Sequence, residues 1–400
     1  NEDRHYRVIG CLVECLVAPE DPAAVIARLA AEATQVVTLT ITEKGYCITP
    51  DGRLDLSQAD IIADSLSHPR SAIGYLVAGL RARRDSGQGG LTLLSCDNLA
   101  DNGYKLESAV RDLAARLAPD LPDWIERHCR FPNSMVDRIV PATTDRDRAA
   151  VAAALGVEDA AAVVTEPFSQ WVIESDFAGP VPDWDRAGAR FVDDVAPFET
   201  MKLRLLNASH SAIAYLGCLA GYETVAEAMA APGMRALLEQ LMAEEMTPSL
   251  PALGEFDVHR YRQALLARFA NRGLAHRCAQ IAMDGSQKIP QRILPALRWQ
   301  LERAGPIDAS SLVLAAWLRF LQGADDAGRP TPVDDPLAQE LRGLATRYSD
   351  NTGAYVYAVI ARLDASLAAS DALQTRVQQY LVLLATEGAA AVLSRRALRQ

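Results

Sequence analysis

The feature that most constrains this chain is a change of rhythm near residue 195. Before it, short β-branched runs alternate with helical periodicity; after it, apolar residues recur almost everywhere at three- and four-residue spacing. Ala23 to Ala33 reads as a helix, and Gln35 to Thr42 as a strand that stops at Glu43-Lys44-Gly45. Ser71 to Arg84 is helical and Leu91 to Ser95 is a strand. Leu106, Val110, Leu113 and Leu117 then recur at helical spacing. Arg138-Ile139-Val140 and Ala161 to Thr165 read as two further strands. This order predicts a mostly parallel α/β sheet whose ligand crevice lies at the strand carboxyl ends. Thr42-Glu43-Lys44, Cys96-Asp97-Asn98 and Glu166 fall there. The breaker cluster Gly179-Pro180-Val181-Pro182-Asp183 precedes the change, and from about Pro197 the alanine- and leucine-rich runs read as helices. Gly323 to Pro336, with three prolines, two glycines and four aspartates, is a surface loop. Two domains follow: α/β over 1–195 and all-α over 196–400.

Composition narrows the function. A net charge of -11 disfavours an electrostatic nucleic-acid binder, and no apolar run reaches the ~18 residues of a membrane span. Small metabolites are the expected partners. The seven cysteines (Cys11, Cys15, Cys47, Cys96, Cys129, Cys218, Cys278) form no C-x-x-C pair and no Cys/His cluster of zinc spacing. They read as reduced thiols of a cytoplasmic protein without a metal site. Asn1 opens the chain with no signal-peptide profile, which suggests a piece of a longer protein.

Lys202, Asn207 and His210 lie five and then three residues apart on an apparently helical stretch. At about 100° per residue, Asn207 lies roughly 140° from Lys202 and His210 roughly 80° from it, so all three can edge one cleft. A base, an amide donor and an imidazole on one rigid element suit removal of a hydroxyl proton. The same residue types also decorate solvated helix faces. Asn98 is equally a turn residue after a strand, and Asp137 can equally pair with Arg138 or Arg146. His276 and the remaining histidines sit in no constellation and read as structural or solvated.

Six blocks occur in order: Thr42-Glu43-Lys44-Gly45-Tyr46, Ser95-Cys96-Asp97-Asn98, Phe131 to Arg138, Glu166 to Trp171, Lys202 to His210, and Met283-Asp284-Gly285-Ser286-Gln287-Lys288. Together they resemble the long-chain polyol dehydrogenases, the mannitol dehydrogenase and mannonate oxidoreductase family, over the whole chain. The resemblance implies zinc-independent NAD(H) chemistry, a Rossmann-type first domain and a helical second one. It implies Lys202 as general base, Asn98 and Asn207 as amide donors to the developing alkoxide, His210 as the orienting imidazole and Glu199 as a proton relay. Thr42, Glu43, Asn98, Val136 and Asp137 are the implied cofactor-side residues. A lysine in water, at about 10.4, is protonated; burial in a dry cleft and a charged His210 nearby would lower it. One departure stands out: the chain has no G-x-G-x-x-G, and its start resembles a point inside the family's Rossmann domain. A preceding segment is therefore expected.

The run Ala279 to Arg292 resembles the fructuronate reductase branch, whose substrate carries a carboxylate. Lys288, Arg292 and Arg277 are the candidates to receive it, although Arg292, shortly after Pro290, can equally cap or solvate a helix end. The first hypothesis is thus an NAD-dependent enzyme, a monomer or small homo-oligomer, interconverting D-mannonate and D-fructuronate. The second is mannitol 2-dehydrogenase or a related polyol dehydrogenase. The third is a non-catalytic binding protein on a degenerate dehydrogenase scaffold. Short-chain dehydrogenases are excluded because no tyrosine has a lysine four residues later.

Overall fold

The structure is a computed structural model that describes residues 4–274 and 276–397. Asn1, on which the expectation of a preceding segment rests, lies outside the described residues. Two compact units divide the chain. One comprises Tyr6–Arg138 and Pro167–Glu199; the other comprises the described residues of Asn1–His5, Ile139–Glu166 and Thr200–Gln400.

In the α/β unit, β1 (Val36–Leu39) pairs in parallel with β2 (Thr92–Ser95), Val36 opposite Thr92 and Leu39 opposite Ser95. Every residue of β2 is buried, as a parallel strand covered on both faces requires. The helix Ala72–Asp85 starts at the Ser71 cap and lays Ile73, Val77 and Leu80 on the sheet. The helix Asn102–Leu117 adds Leu106, Val110 and Leu113 at the same spacing. β3 (Ser134–Asp137), β4 (Gln170–Glu174) and β5 (Ala189–Val192) make a second sheet, with β3 antiparallel to β4 and β4 parallel to β5.

Two expected strands are absent. Residues 138–140 and 161–165 are irregular, and β3 lies just before the first of them. Pro141 removes a ladder donor there. Ile139 turns its groups elsewhere: its N–H donates to the Glu166 carboxylate at 2.6 Å and its carbonyl accepts from Glu166 N–H at 3.2 Å. The first strand is also shorter than the β-branched run, because Thr42 takes a left-handed φ of 62° and begins a short helical turn, Thr42–Gly45.

Polar groups buried at the strand ends explain that stop. The Asp97 carboxylate accepts from Ile41 N–H at 2.9 Å, Thr42 N–H at 3.0 Å and Tyr46 Oη at 2.7 Å. The loop after β1 is thereby tied to the loop after β2. Asn102 donates to Ser134 O at 2.8 Å while its own oxygen accepts from Ser134 N–H at 2.9 Å, which fixes β3 to the helix Asn102–Leu117. Gly103 has no alternative at this junction: a Cβ there would stand 2.2 Å from the Phe131 carbonyl.

The second unit is helical apart from its loops, including the one between the helices Asp308–Phe320 and Ala338–Arg347, and its 139–166 segment carries the helix Asp145–Leu155 between irregular stretches. The helix Ala208–Ala220 is buried from Ala208 to Leu219, as an element apolar on nearly every face must be. Beside it runs Asp308–Phe320, whose first N–H groups are satisfied by a buried carboxylate. Glu245 accepts from Ala309 N–H at 2.6 Å and Ser310 N–H at 2.8 Å, and burial pushes its pKa up to about 7.

The Asp97 contacts carry a prediction. Asp97→Ala should strand two backbone donors, leave the Tyr46 hydroxyl only Ser95 Oγ at 2.5 Å, and cost about 2 to 4 kcal/mol, read as a lower urea midpoint. A midpoint equal to wild type would refute the clamp.

Candidate active site

Lys202, Asn207 and His210 belong to one continuous helical run, and that run is not uniform. The α-helix Ala196–Lys202 passes into a π turn, Leu203–Asn207, before resuming as Ala208–Ala220. Ala208 N–H donates to the Leu203 carbonyl, five residues back. The widened turn absorbs one extra residue and sets everything after it back by about 100°. Asn207 therefore comes to roughly 40° from Lys202 instead of 140°, and His210 to roughly 20° on its other side. The uniform-helix spacing underestimated how closely these residues share a face.

Asn207 and His210 are buried and Lys202 half-buried. His210 packs against Phe269, with ring centroids 4.8 Å apart, and meets His276 edge-on at 5.4 Å. Its Nε2 is buried without a hydrogen-bond partner among the described residues. Burial drives the His210 pKa well below 6.5, and His276, Arg292, Arg268 and Lys202 push it the same way. The imidazole is therefore neutral at physiological pH. A charged His210 that would depress the lysine is not available, contrary to expectation, because the surrounding cations and lost solvation penalise its second proton.

Arg292 sits on the back of the π turn. Its Nη1 donates to Ser211 Oγ at 3.2 Å and to the Asn207 carbonyl at 3.4 Å. Neither Nε nor Nη2 has a hydrogen bond among the described residues, and burial lowers its pKa. The buried Tyr215 hydroxyl is also unpartnered among the described residues. Gly285 packs against it, since a Cβ there would lie 2.7 Å from the Tyr215 oxygen and 2.3 Å from Trp317 Nε1.

Lys288 lies close enough to Arg292 for their like charges to interact, burial and then that charge lowering its pKa, whereas Arg277 is engaged elsewhere. Lys288 Nζ donates to the Met283 carbonyl at 2.6 Å and the Ile281 carbonyl at 3.4 Å, capping the helix Cys278–Ala282. Arg277 pairs with Glu223 at 3.0 Å, both side chains mostly exposed.

Sequence reasoning missed Arg268, Ser211, Tyr215 and His276. Arg268 holds Glu166 through Nε at 2.9 Å and Nη2 at 2.8 Å in an almost fully buried pair. Glu166 is thus engaged in fixing the helix Val258–Phe269, whose last residue supports His210. The available signal was an arginine among the apolar positions Tyr261, Leu265, Leu266 and Phe269.

The α/β unit carries the other candidates. Thr42 and Glu43 open the turn after β1, and Glu43 and Lys44 line an open hollow of about 320 Å³ with Ile48 and Gln58. Asn98 is exposed in the turn after β2, next to the Asp97 clamp. Val136 and Asp137 end β3, with Asp137 buried. Glu199 lies on the helix Ala196–Lys202. Burial, then the charge of Asp101, pushes its pKa from 4.5 up to about 7, although the Asp101 N–H stabilises its carboxylate.

Comparisons with known proteins agree with this organisation. The mannitol dehydrogenase Rossmann-domain model matches residues 2–186, and the mannitol dehydrogenase C-terminal-domain model matches residues 194–384. The chain is 44% identical over 351 residues to D-mannonate oxidoreductase of Escherichia coli (strain K12), covering 87% of this chain and 72% of that protein. It is 40% identical over 350 residues to mannitol 2-dehydrogenase of Phaeosphaeria nodorum, covering 86% of this chain and 62% of that protein. The solved ternary complex of Pseudomonas fluorescens mannitol 2-dehydrogenase with NAD and D-mannitol superposes with a TM-score of 0.76 at 34% identity, covering 98% of this chain and 80% of that one. The chain belongs to the mannitol dehydrogenase family.

The raised Glu199 pKa yields a pH test. A carboxyl that titrates near 7 in the fold but at 4.5 when exposed favours the protonated folded state, so the stability it contributes falls as pH rises between those values. Glu199→Gln should match wild type in thermal midpoint at pH 4 and exceed it at pH 8. Equal differences at both pH values would contradict the shift.

Proposed function

We propose that the protein is an NAD(H)-dependent oxidoreductase that interconverts D-mannonate and D-fructuronate, with Lys202 as general base. The observation that carries this reading is the π turn, which aligns Lys202, Asn207 and His210 and seats the Arg292 guanidinium on the same turn. Lys202 accepts the hydroxyl proton as the carbonyl forms and returns it in reduction. Asn207 donates its amide hydrogens to the oxygen as negative charge builds there, a contribution of roughly 2 to 4 kcal/mol by analogy with oxyanion holes. Neutral His210 presents Nε2 to the same oxygen and holds its direction. Glu199, titrating near 7, can pass a proton to water at the pH where turnover needs it.

The residues at the strand ends fit the nicotinamide side of the cofactor: the exposed Asn98, the hollow beside Glu43, and Val136 and Asp137 at the end of β3. Thr42, Glu43, Asn98, Val136 and Asp137 would hold it, and the bound nicotinamide supplies the hydride acceptor or donor.

Arg292 supports an acidic substrate over a neutral one. The edge formed by its Nε and Nη2 suits a carboxylate, which accepts two parallel hydrogen bonds from a guanidinium. The higher identity to a D-mannonate oxidoreductase points the same way. Mannitol oxidation is the second reading, favoured by the structural match to an enzyme holding D-mannitol.

Lys202→Ala should retain NADH binding by fluorescence and lose at least about three orders of magnitude in turnover; a variant keeping a tenth of wild-type rate would sink the assignment. Arg292→Gln should raise KM for D-mannonate about a hundredfold while changing that for D-mannitol little, consistent with loss of a charge-assisted pair. Equal effects on both would refute the carboxylate role.

A further inference from the structure

His276 stands apart from the residues that the family resemblance singles out, yet it touches His210. Their rings meet edge-on at 5.4 Å and 85°. His210 Nε2 and His276 Nδ1 are both buried nitrogens without a hydrogen-bond partner among the described residues. Buried polar atoms in native proteins are nearly always paired, so two orphans on neighbouring rings call for a partner that the described residues do not provide.

The backbone at and after His276 is tied down while that nitrogen has no partner among the described residues. Its carbonyl accepts from Val225 N–H at 3.0 Å, and Cys278 N–H donates to the Glu223 carbonyl at 2.9 Å. Arg277 bridges Thr224 in antiparallel fashion between them. Thr224 and Glu227 form a capping box that anchors the receiving helix, Val225–Ala230. A residue whose own carbonyl and following backbone are tied down places its ring for a ligand at a smaller ordering cost.

Two imidazoles do not make a metal site here: among the described residues, no three His, Cys, Asp or Glu side chains are grouped to hold an ion. Burial also lowers the His276 pKa, so both rings are neutral near pH 7 and each nitrogen can donate or accept according to tautomer. A polyhydroxylated chain offers the matching chemistry, because each hydroxyl both donates and accepts.

We propose that His276 is a second hydroxyl-binding residue, which engages a neighbouring hydroxyl of the chain whose reacting oxygen lies at His210. The inference rests on reading the Lys202 helix as a polyol site, and it makes the histidine pair a selector for substrates with consecutive hydroxyls. A site built around such hydrogen bonds rejects a chain that lacks one of them, because a buried nitrogen is then left unpaired.

The test compares His276→Phe, which keeps the ring but removes both nitrogens, with His276→Asn, whose amide nitrogen stands near the Nδ1 position. His276→Phe should raise KM for D-mannonate or D-mannitol at least tenfold with kcat within about twofold, and His276→Asn should recover most of that loss. A KM within twofold of wild type for His276→Phe, or equal losses in both variants, overturns the proposal. The imidazole 15N resonances of His276 in the wild-type holoenzyme give a readout independent of mutant folding. They should shift on saturation with D-mannonate or D-mannitol, and no shift with either overturns the proposal. Sugar binding that moves His276 without any redox turnover would retain this inference and overturn the proposed function. Turnover with His276 unmoved would do the reverse.

Discussion

The helical unit turns on one hydrogen bond, from Ala208 N–H to the Leu203 carbonyl five residues earlier. A π turn is less favourable than the α-helix on either side, and it persists only where its surroundings fix it. Here they do. Arg204 Nη1 donates to the Ser249 carbonyl and, at 3.0 Å, to Ser249 Oγ, while Arg292 bonds the Asn207 carbonyl and Ser211 from another helix. The following helix is buried from Ala208 to Leu219, so it cannot rotate to restore regular geometry without repacking the core.

Electrostatics gives the aligned face its character. His210 is surrounded by His276, Arg292, Arg268 and Lys202 and stays neutral because a second proton would face both lost solvation and these charges. Such surroundings favour an oxygen that gains negative charge during reaction. The Glu166 carboxylate is engaged with Arg268 and the Ile139 N–H, so its charge is matched there while it supports the Phe269 backing of His210. In the α/β unit a carboxylate has a different task. Asp97 stitches the turns after β1 and β2, which places Thr42, Glu43 and Asn98 on ordered backbone.

Much of this was legible in the sequence. The switch from alternating strands and helices to continuous helical periodicity locates the all-helical stretch, and the β-branched run after Gln35 contains β1. The Lys202, Asn207 and His210 triplet was readable from residue type and spacing. Its true alignment was not, because an i to i+5 bond depends on anchors such as Arg292, 85 residues from Asn207. The false strands at 138–140 and 161–165 have a similar cause: Ile139 satisfies its backbone through Glu166, a distant partner that local propensity cannot see. β4 and β5, of five and four residues, carry too little pattern to be found alone. His276 was set aside because its neighbour in space, His210, lies far off in sequence. Arg277 had the right charge but pairs with Glu223, while Lys288 donates to two backbone carbonyls, pairs with Asp284 and stays within electrostatic reach of Arg292.

The central claim is that one extra residue in a helical turn lets three side chains meet a single substrate oxygen. A crystal structure of the holoenzyme with D-mannonate tests it most directly. The account predicts one hydroxyl oxygen within about 3 Å of Lys202 Nζ, Asn207 Nδ2 and His210 Nε2 together. A substrate bound with its reacting oxygen on fewer than two of these atoms would contradict it.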